Sequence, residues 1–252
     1  MSDPPCFDQS SFILPLSCGA LQPLCRFFLA AKRLVGYNKG KIRNGGIVMR
    51  ISWLGHACFA VEHEGYRVVI DPFCDVPGCR DVSAEAEEVL CSHGHFDHAY
   101  TKGVTLHLGK ESPFTVETVD TFHDEKGGAL RGRNTVHILR AGGKTLVHLG
   151  DLGHPLSAGQ AEKLRCCDVL LIPVGGVYTV DGAAAASVVR ALQPRTAIPM
   201  HYRGDGFGFD NIGTLDDFLC HFAADEVHFA NGSTVAVDEA LPCGVVVPAF
   251  PV

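Results

Sequence analysis

The chain has 252 residues, of which 46% are hydrophobic and 19% charged. That is enough apolar sequence for a buried core and too little charge for a disordered chain. The net charge of −7 argues against a broad nucleic-acid or anionic-membrane surface, while leaving room for a local basic patch.

Residues 1–48 differ from the remainder. They hold Pro4, Pro5, Pro15 and Pro23, a Lys/Arg cluster from Lys32 to Arg43, and Gly45-Gly46. A helical period is sustained only from Leu24 to Leu34. The charge-free run from Gln9 to Cys25 is too short and polar to span a membrane. No basic segment precedes it, as an export signal would require. The expectation is a soluble, cytoplasmic protein with an N-terminal extension over 1–48 and a domain over 49–252. The extension reads as a flexible tail, a partner segment or the product of an upstream start.

From Met49 the pattern is regular. Arg50–Leu54, Cys58–Glu62 and Tyr66–Ile70 read as strands, with a turn at Glu64-Gly65 and a stop at Asp71-Pro72. Val89–Ser92 is a short apolar strand that feeds a His-rich loop. Phe114–Phe122 is a strand ending at His123-Asp124. Thr135–Leu139 and Thr145–Leu149 flank Ala141-Gly142-Gly143, a hairpin signal. Ser157 with Gln160 forms a capping box for a helix to about Leu164. Asp168–Val174 reads as a buried strand, and Asp181 caps a helix over Ala183–Leu192 that Pro194 stops. Thr196–Met200 is a strand ending at His201. Thr214 opens a helix carrying Leu215, Phe218, Leu219 and Phe222 at i, i+3, i+4, i+7. Glu226–Phe229 and Thr234–Val237 close the pattern. Two strand-rich runs, each followed by helices, suggest a layered α+β sandwich.

The 11 cysteines include no C-x-x-C pair. They read as reduced, mostly buried thiols rather than a zinc ribbon or redox motif. The strongest chemical feature is His93-Gly94-His95-Phe96-Asp97-His98, directly after a strand. In an extended segment His93 and His95 project to one side, and Asp97 with His98 face a neighbouring point from the next turn. Imidazoles and a carboxylate suit Zn²⁺, Mn²⁺ or Fe²⁺. Three further candidates sit at strand ends: His123, Asp151 and His201. Together they offer up to seven ligands, enough for two metals with positions left for water.

These residues resemble the metallo-β-lactamase superfamily, and within it the bacterial metal-dependent hydrolases related to the ascorbate-6-phosphate lactonase. The stretches that carry the resemblance are Trp53-Leu54-Gly55-His56-Ala57-Cys58-Phe59, Ile70-Asp71-Pro72, His93–His98, His123-Asp124, His148–Gly153, Pro173–Gly176 and Pro199–Tyr202. Residues 1–48 have no counterpart. The resemblance implies a four-layer αβ/βα sandwich with its site at one sheet edge. It implies that His93, His95 and His123 hold one metal, that Asp97, His98 and His201 hold a second, and that Asp151 bridges them. It suggests Asp71 as an acceptor for a ligand imidazole and places His56 near the site. Gly94 and His95 stand where the flavodiiron branch usually has an acidic residue, so an oxygen-reducing di-iron site is disfavoured. His63, His107, His137, His221 and His228 have no such placement.

The expected function is metal-dependent hydrolysis, by metal-bound hydroxide, of a small anionic ester, lactone or phosphoester. Two divalent ions are expected, zinc first and manganese or iron as alternatives, with Asp97 also accepting a proton near the nucleophile. Lys126, Arg131 and Arg133 follow His123, and Arg203 follows His201, as candidate anion contacts. Arg203 is the sharpest of these. The rival readings are a nuclease of the same fold, against which the acidic balance weighs, and a non-catalytic metal sensor. The expected partner is a small-molecule substrate, with no nucleic acid or membrane, and with a homo-oligomer allowed.

Overall fold

The computed structural model describes residues 48–251. Strand β1 (Met49–Gly55) leads into β2 (Cys58–His63) and β3 (Tyr66–Ile70). The β2–β3 turn is Glu64-Gly65, with φ of 53° and 73°, the two left-handed residues that match a tight turn to strand twist. Then come β4 (Ala84–Ala86), β5 (Glu88–Leu90), β6 (Val104–Leu106) and β7 (Thr115–Phe122). Strands β8 (Arg133–Ala141) and β9 (Lys144–His148) form the expected hairpin about Gly142-Gly143. After α1 (Ala158–Leu164) the chain alternates through β10 (Val169–Pro173), α2 (Gly182–Leu192) and β11 (Thr196–Met200). It ends in α3 (Asp216–Leu219), β12 (Val227–Phe229), β13 (Thr234–Val237) and β14 (Gly244–Val247).

Two sheets result. One runs β13-β1-β2-β3-β5 and the other β12-β14-β11-β10-β9-β8-β7. The alternation of β2 shows how the layers are built. Phe59 and Val61 enter the main core with Ile138, Leu146 and Ile172 of the larger sheet, while Cys58 and Ala60 point the other way, onto Phe73, Val76 and Val82. The fourth layer, on that outer face, consists of the 72–82 loop and the small β4–β6 pair. Every residue of β10 is buried, as expected for a parallel strand covered on both faces. Ala185, Ala186 and Leu192 of α2 belong to the same core. This is the α+β sandwich that the resemblance implied. Among the described residues no helix is long and apolar enough to cross a membrane.

Both helix starts have the anticipated chemistry. The Ser157–Gln160 capping box is present, and Asp181 accepts from the Ala184 N–H. Five elements differ from expectation, two of them the short strands β4 and β6, which were not anticipated. Strand β5 stops at Leu90, because the Ser92 N–H and hydroxyl turn to the Asp71 carboxylate instead of continuing a ladder. The helix expected from Thr214 shrinks to α3. Arg190 takes the His221 carbonyl and Glu226 takes the Ala223 N–H, which ends the helix early. Strand β14 was not anticipated; it inserts between β11 and β12. The helix expected over Leu24–Leu34 lies outside the described residues.

Candidate metal centre

Six connections leave strand ends and meet at one edge of the sandwich. His56 stands between β1 and β2, Asp71 after β3, the His93–His98 loop after β5, His123 after β7, and His201 after β11. Gly150-Asp151 follow β9. Three of these residues adopt left-handed backbone, with φ of 49° at His56, 51° at Asp71 and 52° at His201. Such conformations cost roughly 1–3 kcal/mol each for a non-glycine residue and gather where side-chain position matters more than stability. Gly150 also has positive φ, at 54°, and a Cβ there would lie 2.3 Å from Asn134 Oδ1 and 2.5 Å from Ser92 Cβ. Only glycine lets the chain turn this close to the cluster.

The side chains converge on Asp151. Its Oδ2 lies 3.1 Å from His123 Nε2, 3.2 Å from His98 Nε2 and 3.3 Å from His201 Nε2. His93, His95 and His123 form one group of donor atoms within 4.8 Å of one another, and His56, Asp97, His98 and His201 form another. His93 and His98 also group with Asp151. The structure therefore brings all seven sequence candidates into one cluster, together with His56.

Hydrogen bonds behind the cluster set the imidazole tautomers. The Nδ1 of His98 is 2.8 Å from Asp71 Oδ2, and that of His123 is 2.9 Å from the Tyr178 carbonyl. Each ring thus donates away from the cluster and turns a bare Nε2 inward, as metal-ligating histidines do. The Ser92 hydroxyl donates to Asp71 Oδ2 at 2.7 Å and lies 2.9 Å from His93 Nδ1. Asn134 accepts the Asp151 N–H through Oδ1 and donates to the Thr121 hydroxyl and the Leu149 carbonyl. Asp71 occupies the supporting position that the resemblance suggested. Ser92, Asn134 and the Tyr178 carbonyl were missed. Ser92 adjoins the His motif and was the one of the three with a local signal. Asn134 sits mid-strand and Tyr178 acts through its backbone, so neither has any.

Burial would raise the pKa of the Asp151 and Asp71 carboxyls, yet both are lowered. His201 and His98 hold Asp151 well down, and His98 with His148 and Ser92 holds Asp71 at about 2. Burial and the neighbouring His201 push His56 down to about 4, and burial with His98 pushes His93 down to about 3. Against burial, Asp151 in turn raises the pKa of His98 and His123. Ionised buried carboxylates gathered among imidazoles are a cation's donor set. The buried atoms without hydrogen-bond partners fit the same reading: His93 Nε2, His98 Nε2, Asp151 Oδ1 and both ring nitrogens of His56 and His201. Among the described residues nearly all other buried polar side chains are satisfied, apart from His63 and His137, so this concentration calls for a ligand. The cluster opens to solvent on one side, where His95 is exposed and His93 and Asp97 are half-buried.

Of the candidate anion contacts, Arg131 lies 5.5 Å over the Tyr178 ring, the residue whose carbonyl holds His123. Arg131 is positioned by Asp124, whose carboxylate accepts the N–H groups of Lys126, Gly128, Leu130 and Arg131. Arg203 is exposed and its Nε donates to the Ile212 carbonyl. It lines a cavity of about 520 Å³ with Asp205, Asp216 and Phe250, and no member of the His/Asp cluster lines that cavity.

A two-sheet sandwich with this cluster at its edge defines a metallo-β-lactamase-fold protein. The family model for the beta-lactamase superfamily domain matches residues 50–201, a stretch that encloses every residue of the cluster, and the chain belongs to the metallo-β-lactamase superfamily. It is 31% identical over 191 residues to a UPF0173 metal-dependent hydrolase of Carboxydothermus hydrogenoformans, covering 61% of this chain and 84% of that one. It is 32% identical over 179 residues to a UPF0173 protein of Pyrococcus furiosus, covering 61% and 83%. Among solved structures, a Thermotoga maritima protein named as a Zn-dependent hydrolase of the superfamily superposes with a TM-score of 0.64 at 33% identity, covering 81% of this chain and 100% of that one. The chain is accordingly a metal-dependent hydrolase.

Proposed function

We propose that the cluster holds two divalent metal ions, zinc first and manganese or iron as alternatives, and that the protein hydrolyses a small anionic ester, lactone or phosphoester. The observation that carries this is Asp151 Oδ2, which touches imidazoles of both donor groups: His123 of the first, and His98 and His201 of the second. His93, His95 and His123 would hold one ion and Asp97, His98 and His201 the other, with Asp151 shared. The donors are nitrogen and oxygen without thiolate, a set suited to these ions.

When bound, such ions lower the pKa of water from 15.7 to about 7 and polarise a substrate oxygen. The protein's own part is positional. Asp97 is half-buried beside exposed His95, and its carboxylate can take a proton from the attacking water. Asp71 and the Tyr178 carbonyl keep the His98 and His123 rings in register. Arg131, fixed through the Asp124-bound loop, faces the negative portion of the substrate. We assign this role to Arg131 ahead of Arg203, whose cavity is lined by none of the cluster. The cytoplasm suits the thiols: burial pushes Cys167 up to about 12 and Cys91 up to about 11, consistent with inert reduced side chains.

The test is metal analysis of the purified protein joined to an activity screen over lactones, carboxylate esters and phosphoesters. About two ions per chain and metal-dependent turnover are expected. Arg131→Ala should lower kcat/KM roughly tenfold or more on an anionic substrate and little on its neutral counterpart, the scale of one lost charged hydrogen bond. Equal losses on both would remove the anion-binding role, and the selective loss appearing in Arg203→Ala instead would transfer it there.

A further inference from the structure

The second donor group contains a residue that the seven-ligand pattern does not use. His56 is 1% exposed, and neither of its ring nitrogens has a hydrogen-bond partner. Its backbone, in contrast, is firmly held. The His56 carbonyl accepts from Trp53 Nε1 at 2.9 Å and from the His201 N–H at 3.2 Å, and its φ is 49°. The strained backbone thus presents the ring to His201, at 4.1 Å between centroids and tilted by 45°. On its outer sides the ring meets the edges of Phe73 and Phe209. An imidazole walled by aromatic rings has no polar surroundings except the cluster itself, and a buried polar group left unpaired is costly.

We propose that His56 is a ligand of the second metal subsite, through Nε2, so that three imidazoles and Asp97 line it with Asp151 shared. The spacing supports this. His56 Nε2 lies 3.4 Å from Asp97 Oδ2, long for a charged hydrogen bond, which runs at about 2.7–2.9 Å. Two ligands on one ion with bonds of about 2.0–2.2 Å sit about 3.0–3.5 Å apart. The pairs His98–Asp151 at 3.2 Å and His201–Asp151 at 3.3 Å fall in the same range, while His98 Nε2 stands 3.9 Å from Asp97 Oδ2. The donor atoms of His56, Asp97, His98 and His201 all lie within 4.8 Å of one another. The two subsites are therefore unequal. The second is enclosed by buried His56, His98 and His201, whereas the first opens to water at exposed His95. The second ion is held more tightly and is the last to leave under chelation.

This assignment rests on the reading that the second subsite binds metal, and the two separate experimentally. The probe is ¹¹³Cd²⁺ loaded into protein labelled with ¹⁵N-histidine. Six histidine rings should show cadmium–nitrogen coupling, with the His56 signal identified by its loss in His56→Asn, a side chain that tolerates left-handed backbone. In a competitive chelator titration His56→Asn should weaken the second ion roughly tenfold or more and leave the first unchanged. Two bound ions with five coupled rings, His56 not among them, would overturn the assignment. So would a folded His56→Asn protein that holds both ions with unchanged affinity. A single ion coupled to His56 would support this assignment and overturn the dinuclear reading; a single ion not coupled to His56 would overturn both. Should His56→Asn fail to fold, the count of six or five rings in the unsubstituted protein decides.

Discussion

Two aspartates of the site look alike in sequence and differ in environment. Asp71 is fully buried and accepts from the Ser92 N–H at 2.6 Å, the Ser92 hydroxyl at 2.7 Å and His98 Nδ1. Asp97 is half-buried, and its Oδ2 lies 3.4 Å from His56 Nε2 and 3.9 Å from His98 Nε2. Their substitutions should therefore fail in different ways. Asp97→Ala is expected to lower kcat by at least about a hundredfold, the usual scale of a lost acid–base group, while thermal unfolding stays nearly unchanged. Near-normal kcat would remove its proton-accepting role. Asp71→Ala strands three buried donors and should destabilise the fold by about 3–5 kcal/mol, as breaking a buried pair does. A chemical-denaturation curve for Asp71→Ala that overlays the unsubstituted protein would show that His98 needs no such anchor.

At the scale of elements, β1, β3 and β11 deliver His56, Asp71 and His201 by ending in left-handed backbone that most side chains resist. Val177 shows the cost on its own. It is exposed, β-branched and left-handed, with φ of 59°, and it precedes Tyr178, whose carbonyl holds His123. A β-branched residue in that region is a genuine outlier. Val177→Asn should relieve the strain and raise stability by about 1 kcal/mol, read as a higher unfolding midpoint; an unchanged or lower midpoint would contradict it. The same elements show what the sequence could reveal. Strands β1 to β3, the β8–β9 hairpin and both capped helices were legible, because alternation, turn residues and caps are local signals. The candidate ligands stood out because they crowd one hexapeptide and then end strands. The length of α3 was not, since the groups that stop it, Arg190 and Glu226, act across the fold. Strand β14 was also missed: Gly244–Val247 carries no alternation and owes its place to neighbours β11 and β12. The role of Asn134 was equally hidden, because it reaches Asp151 only once β8 pairs with β9.

For the whole molecule the question is where the cooperative unit begins. Met49 is 1% exposed and pairs with Val237, so the first residue of β1 is already part of the five-stranded sheet. The main core draws on both sheets from Met49 to Val247, with Phe250 packed against it and stacked on Phe207 at 3.9 Å. Trp53, Tyr202 and Phe207 join that aromatic group, so residues far apart in the chain close one end of the sandwich together. All candidate ligands lie between His56 and His201, inside this unit. A chain beginning at Met49 should therefore fold, bind the same amount of metal and keep its turnover, with an unfolding midpoint within a few degrees of the full chain, the shift expected for under about 1 kcal/mol. Paired calorimetry and metal analysis of the two chains measure this. Aggregation of the shorter chain, or a lower metal content, would show that residues 1–48 cover part of the sandwich or of a partner copy, and the boundary at Met49 would be wrong.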